Sequence, residues 1–120
     1  MLDLPKVLVV EDEALLLFSI SDELTDAGYE VLEAVDAQQA LALLERNLDV
    51  KAIFTDINMP GSMDGLALSR YVRDRWPPIR IIVTSGKQRP SDRDLPEEGL
   101  FVPKPYTTGG VIAALTAALG

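Results

Sequence analysis

Short apolar runs that stop abruptly at polar residues place the strongest limit on how this chain can fold. Two of them, Lys6–Val10 and Arg80–Thr84, are continuously apolar after their first residue rather than alternating. This pattern is typical of strands buried on both faces in the middle of a parallel sheet. A third run, Ala52–Thr55, ends at Asp56, and a Pro-Gly turn signal follows almost at once. The sequence therefore predicts buried strands that carry polar groups at their C-terminal ends.

Segments with helical periodicity separate these runs. One extends from Ala14 to Ala27 and is followed by Gly28, a residue suited to end a helix. Another begins at Met63-Asp64-Gly65 and continues to about residue 76, where two prolines end it. A last helix is predicted to begin near Thr107 or Thr108.

Between the first and third helices lies a second one. Asp36 and Gln39 form a capping-box pattern, which predicts that a helix starts there. Four apolar residues at helical spacing form its predicted inner face: Ala40, Leu41, Leu44 and Leu48.

Two weaker runs complete the predicted sheet. Tyr29–Ala34 alternates and is expected near an edge, and Leu100–Val102 is a short fifth strand. Strands that alternate with helices predict an α/β fold, with a parallel sheet, helices on both faces and right-handed crossovers. We expect residues 1–120 to form one domain. The irregular region is Ser85–Gly99, which is polar and rich in proline and is expected to hold at most a short helix.

Composition removes several classes of function. The 120 residues include 19 acids, 11 bases, no Cys and no His, with a formal net charge of −8 and a pI near 4.4. Such a chain has no general attraction for nucleic acid or an anionic membrane, and it lacks imidazole for catalysis or zinc binding. No apolar run reaches the ~20 residues of a membrane span, and we do not expect the N-terminal residues to be a secretory signal. We expect a cytoplasmic protein whose metal would be a hard cation held by oxygen.

Polar residues at four predicted strand ends are expected to meet. The C-terminal ends of parallel strands lie along one edge of a sheet. If the first, third, fourth and fifth strands are neighbours, Glu11-Asp12, Asp56, Thr84-Ser85 and Lys104 converge there. Carboxylates ~4–6 Å apart repel each other, and a divalent cation such as Mg²⁺ would remove that repulsion. One carboxylate could then act as a nucleophile toward a phosphoryl group.

Each of these residues also has a structural interpretation. Asp56 could simply start a turn, and Glu11-Asp12 could complement a helix dipole. Thr84 could be an ordinary β-branched strand residue, Lys104 an exposed loop charge and Phe101 a core aromatic. All of these interpretations would have to hold together, at one edge of one sheet, for the site to be illusory.

Four motifs occur in order along the chain: Val9-Val10-Glu11-Asp12-Glu13; Thr55-Asp56-Ile57-Asn58-Met59-Pro60-Gly61 with Met63-Asp64-Gly65; Val83-Thr84-Ser85-Gly86; and Pro103-Lys104-Pro105-Tyr106. From about Lys6 to Leu119, the chain resembles the phosphoacceptor receiver domain of two-component response regulators. Each motif alone is weak, but together they cover nearly the whole sequence in the expected order.

The resemblance implies a flavodoxin-like sheet with strand order 2-1-3-4-5. It implies that Asp56 takes a phosphoryl group from a phosphohistidine of a histidine kinase or a histidine phosphotransfer protein. It also implies a Mg²⁺ site formed by Glu11, Asp12, Asp56 and the backbone carbonyl of Asn58.

The resemblance further implies how the signal is transmitted. Lys104 would pair with the phosphoryl group, next to a cis Lys104-Pro105 bond. Thr84 and Phe101 would be a switch pair, with the hydroxyl moving to the phosphate as the ring turns inward. The output would be contact with a downstream protein partner or onward phosphotransfer, by a monomer or weak dimer. Gly86 leaves a gap that is expected to affect how water reaches the site.

One segment departs from the family pattern, and two other functions stay open at this point. Lys87–Glu98 is too short and proline-rich for the usual fourth helix, which in many relatives belongs to a dimerisation face. The chain could be a phosphate-independent interaction module that only keeps the fold. It could also be a small Mg²⁺-dependent aspartyl phosphatase, although no inserted segment is long enough for a cap. As a receiver it would not be an enzyme, apart from self-phosphorylation and slow autodephosphorylation at Asp56.

Overall fold

The computed structural model describes residues 4–61, 63–86, 90–91 and 93–119. Strands and helices alternate through these residues in the following order: β1 (Lys6–Val10), α1 (Ala14–Asp26), β2 (Glu30–Ala34), α2 (Ala37–Arg46), β3 (Val50–Asp56), α3 (Gly65–Arg75), β4 (Arg80–Ser85), β5 (Leu100–Pro103) and α4 (Thr108–Leu119). The strands form one parallel sheet in the order β2-β1-β3-β4-β5. The predicted fold class and strand order are therefore confirmed.

The central strands are buried on both faces, which explains their continuous hydrophobicity. In β1, Leu8 and Val10 enter the core shared with α2 and α3, whereas Val7 and Val9 enter the core shared with α1 and α4. All four side chains are at most 2% exposed. β2 is an edge strand with a mixed burial pattern, as its alternation predicts.

The start of α2 is confirmed, but its predicted inner face is wrong at one position. Asp36 Oδ1 accepts a hydrogen bond from the Gln39 N–H at 2.8 Å, and Gln39 Oε1 accepts one from the Val35 N–H at 3.0 Å. The helix ends at Arg46, because the backbone of the next residue, Asn47, leaves the helical conformation with φ −124° and ψ 78°. The Asn47 side chain bonds back to the Leu43 carbonyl at 2.8 Å. Leu48 therefore lies beyond the helix and is 79% exposed.

β3 begins two residues earlier than the apolar run predicts. Val50 is buried and belongs to the strand, but exposed Lys51 follows it and interrupts the run. Val50 belongs to the core shared with α2 and α3.

The crossover between β4 and β5 contains no helix in its described residues, which are 86, 90–91 and 93–99. A local turn is present instead, in which Asp94 Oδ2 accepts hydrogen bonds from the N–H and Oγ of Ser91 at 3.1 and 3.0 Å. Arg70 in α3 donates to the Asp94 carbonyl, and Leu95 packs against the core. The expected irregularity is confirmed for this part, and residues 87–89 and 92 lie outside the described residues.

α3 runs from the C-terminal end of β3 back to the N-terminal end of β4. It begins beside the end of β3, where the Gly65 N–H donates to the Ile57 carbonyl at 2.8 Å. Its 11 residues extend over roughly 16 Å to Trp76, which caps the helix near the start of β4. The Arg75 guanidinium lies 5.2 Å from the centre of the Trp76 ring. In the described part of the chain, no helix is long and apolar enough to cross a membrane.

Candidate functional site

Three carboxylates meet at the C-terminal edge of the sheet. Glu11 and Asp12 directly follow β1, and Asp56 ends the neighbouring strand β3. One oxygen from each of the three lies within 4.8 Å of the other two. Glu11 and Asp56 are 3% and 6% exposed, whereas Asp12 is open to solvent. The sheet order alone brings these acids together, as the sequence predicts.

A single ammonium group lies between the two buried acids. Lys104 follows β5, and its Nζ lies 2.9 Å from Glu11 Oε1 and 3.2 Å from Asp56 Oδ2. Its main-chain N–H donates to the Ser85 carbonyl at 3.1 Å, which fixes the residue to the end of β4. The Lys104-Pro105 bond is cis, as the resemblance implies.

The pKa values in the site reflect competition between burial and charge. Burial raises the pKa of Glu11 above its ordinary value, against the opposing hydrogen bonds from Lys104 and the Glu13 N–H. Burial works against the charge of Lys104, but the hydrogen bond and charge of Glu11, with Asp56, outweigh it and raise the pKa of Lys104.

The donor set fits a divalent cation. When ionised, the three carboxylates carry three negative charges, and Lys104 offsets only one of them. All of the candidate ligands are oxygens, which Mg²⁺ prefers, and the exposed Asp12 leaves the site open to water. Glu11, Asp12 and Asp56 could therefore hold Mg²⁺, with room for the solvent ligands that this ion keeps.

Asn58 connects Asp56 to the neighbouring strand. Its main-chain N–H donates to Asp56 Oδ1 at 3.3 Å, and its side-chain Nδ2 donates to Ser85 Oγ at 3.0 Å. The loop after β3 is thereby attached both to the carboxylate and to the end of β4. The sequence predicts that these residues lie close together, but it does not predict this hydrogen bond.

Thr84 lies on β4, beside Asp56, and Phe101 lies on β5, one strand further out. Thr84 pairs with Asp56 in the sheet register and is 2% exposed. Among the described residues its hydroxyl has no hydrogen-bond partner, although it is buried. Phe101 lies on the edge strand opposite Val83 and packs, half-buried, against the core shared with α2 and α3.

Tyr106 is a neighbour of the site for which the sequence analysis assigned no role. Its ring packs on Phe54 with centroids 5.4 Å apart. Burial, with the charge of Glu11, raises the pKa of its phenol to about 12. Its position directly after the Lys-Pro pair at a strand end is a signal that could have identified it. Tyr106 and Gly86 also line an open recess of about 330 Å³ beside Lys104, where the sequence predicts a gap.

Comparison with known proteins also matches this chain to the receiver family. The family described as the response regulator receiver domain matches residues 7–115. The chain is 35% identical over 85 residues to a glycerol metabolism activator of Pseudomonas putida, covering 69% of this chain and 38% of that protein. It is 37% identical over 78 residues to the response regulator protein FleR of Pseudomonas aeruginosa, covering 65% of this chain and 16% of that protein. The chain thus spans well under half the length of these curated relatives.

Solved structures agree over nearly the whole chain. A response regulator receiver protein from Sinorhizobium medicae superposes with a TM-score of 0.88 at 26% identity, covering 99% of this chain and 97% of that one. The chemotaxis response regulator CheY4 of Vibrio cholerae gives 0.85 at 28% identity, covering 98% and 100%. The family is a signalling module and not a class of conventional enzymes. The acidic edge and the strand order of this chain agree with that family. The match over residues 7–115 shows that this chain belongs to the receiver domains of two-component response regulators.

Proposed function

We propose that Asp56 accepts a phosphoryl group from a phosphohistidine, on a histidine kinase or a histidine phosphotransfer protein, in a reaction that requires Mg²⁺. The observation that carries this proposal is the position of Lys104 Nζ, which contacts both Asp56 and Glu11 beside the exposed Asp12. A buried acid at a strand end, held against a cation and open to solvent on one side, is suited to act as a nucleophile toward phosphorus.

The proposed reaction transfers the phosphoryl group from nitrogen to oxygen. A carboxylate oxygen of Asp56 forms a bond to phosphorus as the bond between phosphorus and the donor imidazole breaks. The electron pair of that bond goes to the imidazole nitrogen, which takes up a proton, and the product is an acyl phosphate. Lys104 already lies 3.2 Å from Asp56 Oδ2, so its ammonium can follow the charge onto the phosphoryl oxygens.

Four groups would hold the metal: the carboxylates of Glu11, Asp12 and Asp56 and the main-chain carbonyl of Asn58. When bound, Mg²⁺ supplies positive charge that offsets the charge of the carboxylates and of the phosphoryl group. The residues themselves orient the nucleophile, because Asp56 is held by the N–H of Asn58 on one oxygen and by Lys104 on the other.

Signalling would begin at the unpartnered hydroxyl of Thr84. A phosphoryl group on Asp56 would offer Thr84 the hydrogen-bond acceptor that it lacks among the described residues. Movement of Thr84 toward it would free space beside β5 and let Phe101 turn inward. The changed surface would then be recognised by a downstream protein partner in the cytoplasm, with the chain acting as a monomer or weak dimer.

Incubation with acetyl phosphate or phosphoramidate and Mg²⁺ tests this proposal directly. Intact-protein mass spectrometry should show the gain of one phosphate, and chelation of Mg²⁺ should prevent it. Asp56→Asn should abolish the gain, whereas Asp36→Asn, a change at the cap of α2, should preserve it. A protein that gains no phosphate would exclude the proposed function and favour a phosphate-independent interaction module. An Asp56→Asn variant that still gains phosphate would exclude Asp56 as the acceptor.

A further inference from the structure

We propose that the hydrogen bond between Asn58 and Ser85 is a clasp that positions the metal ligand of the loop after β3. The inference rests on the proposed Mg²⁺ site, and it assigns a role to two side chains to which the proposed reaction gives none. Asn58 and Ser85 act here as positioning residues.

Asn58 has two attachments to the site. Its main-chain N–H donates to Asp56 Oδ1 at 3.3 Å, which is long for such a bond, and its side-chain Nδ2 donates to Ser85 Oγ at 3.0 Å. The residue itself is exposed, so solvent competes for its polar groups. Of the two hydrogen bonds that hold Asn58 in place, the one from its side chain to Ser85 is the shorter.

Ser85 provides a rigid anchor for this bond. It ends β4, is 3% exposed, and its carbonyl accepts the Lys104 N–H at 3.1 Å. The carbonyl of the preceding residue, Thr84, accepts the Ile57 N–H at 2.9 Å. The clasp therefore connects an exposed loop residue to a strand end that is itself fixed to both β3 and the segment after β5.

A ligand carbonyl on an exposed loop must be ordered when the metal binds, and that ordering opposes binding. The clasp orders the loop beforehand. One hydrogen bond of this kind corresponds to roughly a two- to tenfold change in an equilibrium constant. Loss of the clasp should therefore raise the dissociation constant for Mg²⁺ by about that factor without changing the nucleophile.

A double-mutant cycle on the Mg²⁺ affinity tests the clasp. Mg²⁺ is titrated into the unphosphorylated protein, and binding is followed through backbone amide shifts in NMR spectra. The variants are Asn58→Ala, Ser85→Ala and the double variant, and Asn58→Ala leaves the ligand carbonyl in place. Ser69→Ala is the matched control, because Ser69 is buried and its hydroxyl bonds within α3 to the Leu66 carbonyl.

Each single variant should raise the dissociation constant two- to tenfold, and the double variant should raise it no further. Ser69→Ala should leave it unchanged. The Mg²⁺ concentration for half-maximal phosphorylation by acetyl phosphate should rise by the same factor. Because Asn58 is exposed, its alanine variant is expected to fold even if Ser85→Ala does not.

Other results overturn the clasp. An unchanged Mg²⁺ affinity in Asn58→Ala, or effects of the single variants that multiply in the double variant, would do so. These results are separate from failure of the proposed function. If the wild-type protein is phosphorylated and the variants bind Mg²⁺ with unchanged affinity, only the clasp is excluded. If the wild-type protein takes no phosphate but the variants show the expected changes in Mg²⁺ affinity, only the phosphoacceptor role is excluded.

Discussion

A Cβ atom at position 65 would lie 1.9 Å from the main-chain carbonyl oxygen of Asp56 and 2.7 Å from its carbonyl carbon. Gly65, the first residue of α3, is therefore in direct contact with the backbone of the proposed phosphoacceptor. No rotation of a side chain can relieve such an overlap, because both atoms belong to the main chain. Only glycine allows α3 to start this close to the end of β3.

Gly65→Ala should consequently destabilise the fold and displace Asp56. Overpacking of a well-packed site costs on the order of 1–3 kcal/mol, and here the backbone itself must move. Urea unfolding should show the loss, and phosphorylation by acetyl phosphate should slow. Gly109→Ala is the matched control, because a Cβ atom there meets nothing within 4 Å. It should stabilise the protein by roughly 0.5–1 kcal/mol, so equal effects at the two positions would contradict this prediction.

Lys104→Met should bind Mg²⁺ more tightly than the wild-type protein does. The ammonium of Lys104 occupies Glu11 and Asp56 in the metal-free protein, so the cation must share their charge with it. Without the metal, the variant should lose on the order of 3 kcal/mol of stability, since two buried acids lose their partner. Thermal unfolding with and without Mg²⁺ measures both effects. Lys6→Met, which breaks an ion pair with the exposed Asp49, should change Mg²⁺ affinity little. Weaker binding by Lys104→Met would contradict the expectation.

The stability of the metal-free protein should fall as pH rises just above the ordinary pKa of a Glu. Burial raises the pKa of Glu11 above 4.5 in the folded state, so the folded protein holds this proton when the unfolded chain has lost it. The stabilisation is complete below the unfolded pKa and is lost as pH rises through the folded one. Urea unfolding between pH 4 and pH 7 measures it, and Glu11→Gln should remove that part of the slope. A slope that is identical in the variant would show that another group causes it.

Thr84→Val should stabilise the resting protein and weaken its response to phosphorylation. The hydroxyl of Thr84 is buried, and it has no hydrogen-bond partner among the described residues. Replacing it with a methyl group of similar shape should raise the free energy of unfolding by roughly 1 kcal/mol. Beryllofluoride with Mg²⁺, a mimic of the phosphoryl group, should then stabilise the variant less than the wild-type protein. A variant that responds fully to beryllofluoride would argue against Thr84 as a switch residue.

Much of the fold follows from the sequence because local and global signals agree in it. Strands β1 and β4 read as continuous apolar runs, since both of their faces are buried, and the parallel arrangement then brings Glu11 and Asp56 to one edge. The N-terminal cap of α2 could also be predicted from the sequence, because the side chains of Asp36 and Gln39 bond to main-chain N–H groups only a few residues away. That residues 1–120 form one domain stays a prediction.

The features that could not be predicted depend on contacts between residues distant in sequence, or on the backbone conformation that ends a helix. Leu48 fits the helical spacing of α2, but the backbone of Asn47 leaves the helical conformation before it. Asn58 and Ser85 are 27 residues apart, and nothing local distinguishes their bond from two solvated side chains. The need for Gly65 is likewise visible only when the end of β3 lies against the start of α3.

The position of Trp76 determines what the intrinsic fluorescence of this protein can report. The sequence contains one tryptophan, and it lies at the far end of α3, about a helix length from Asp56, with the Arg75 guanidinium over its ring. Mg²⁺ or a phosphoryl group bound at the acidic edge is too remote to quench the indole by contact. A fluorescence change on adding beryllofluoride would therefore report a displacement that α3 transmits along its length. Emission during unfolding, in contrast, would follow the packing of the opposite edge of the sheet.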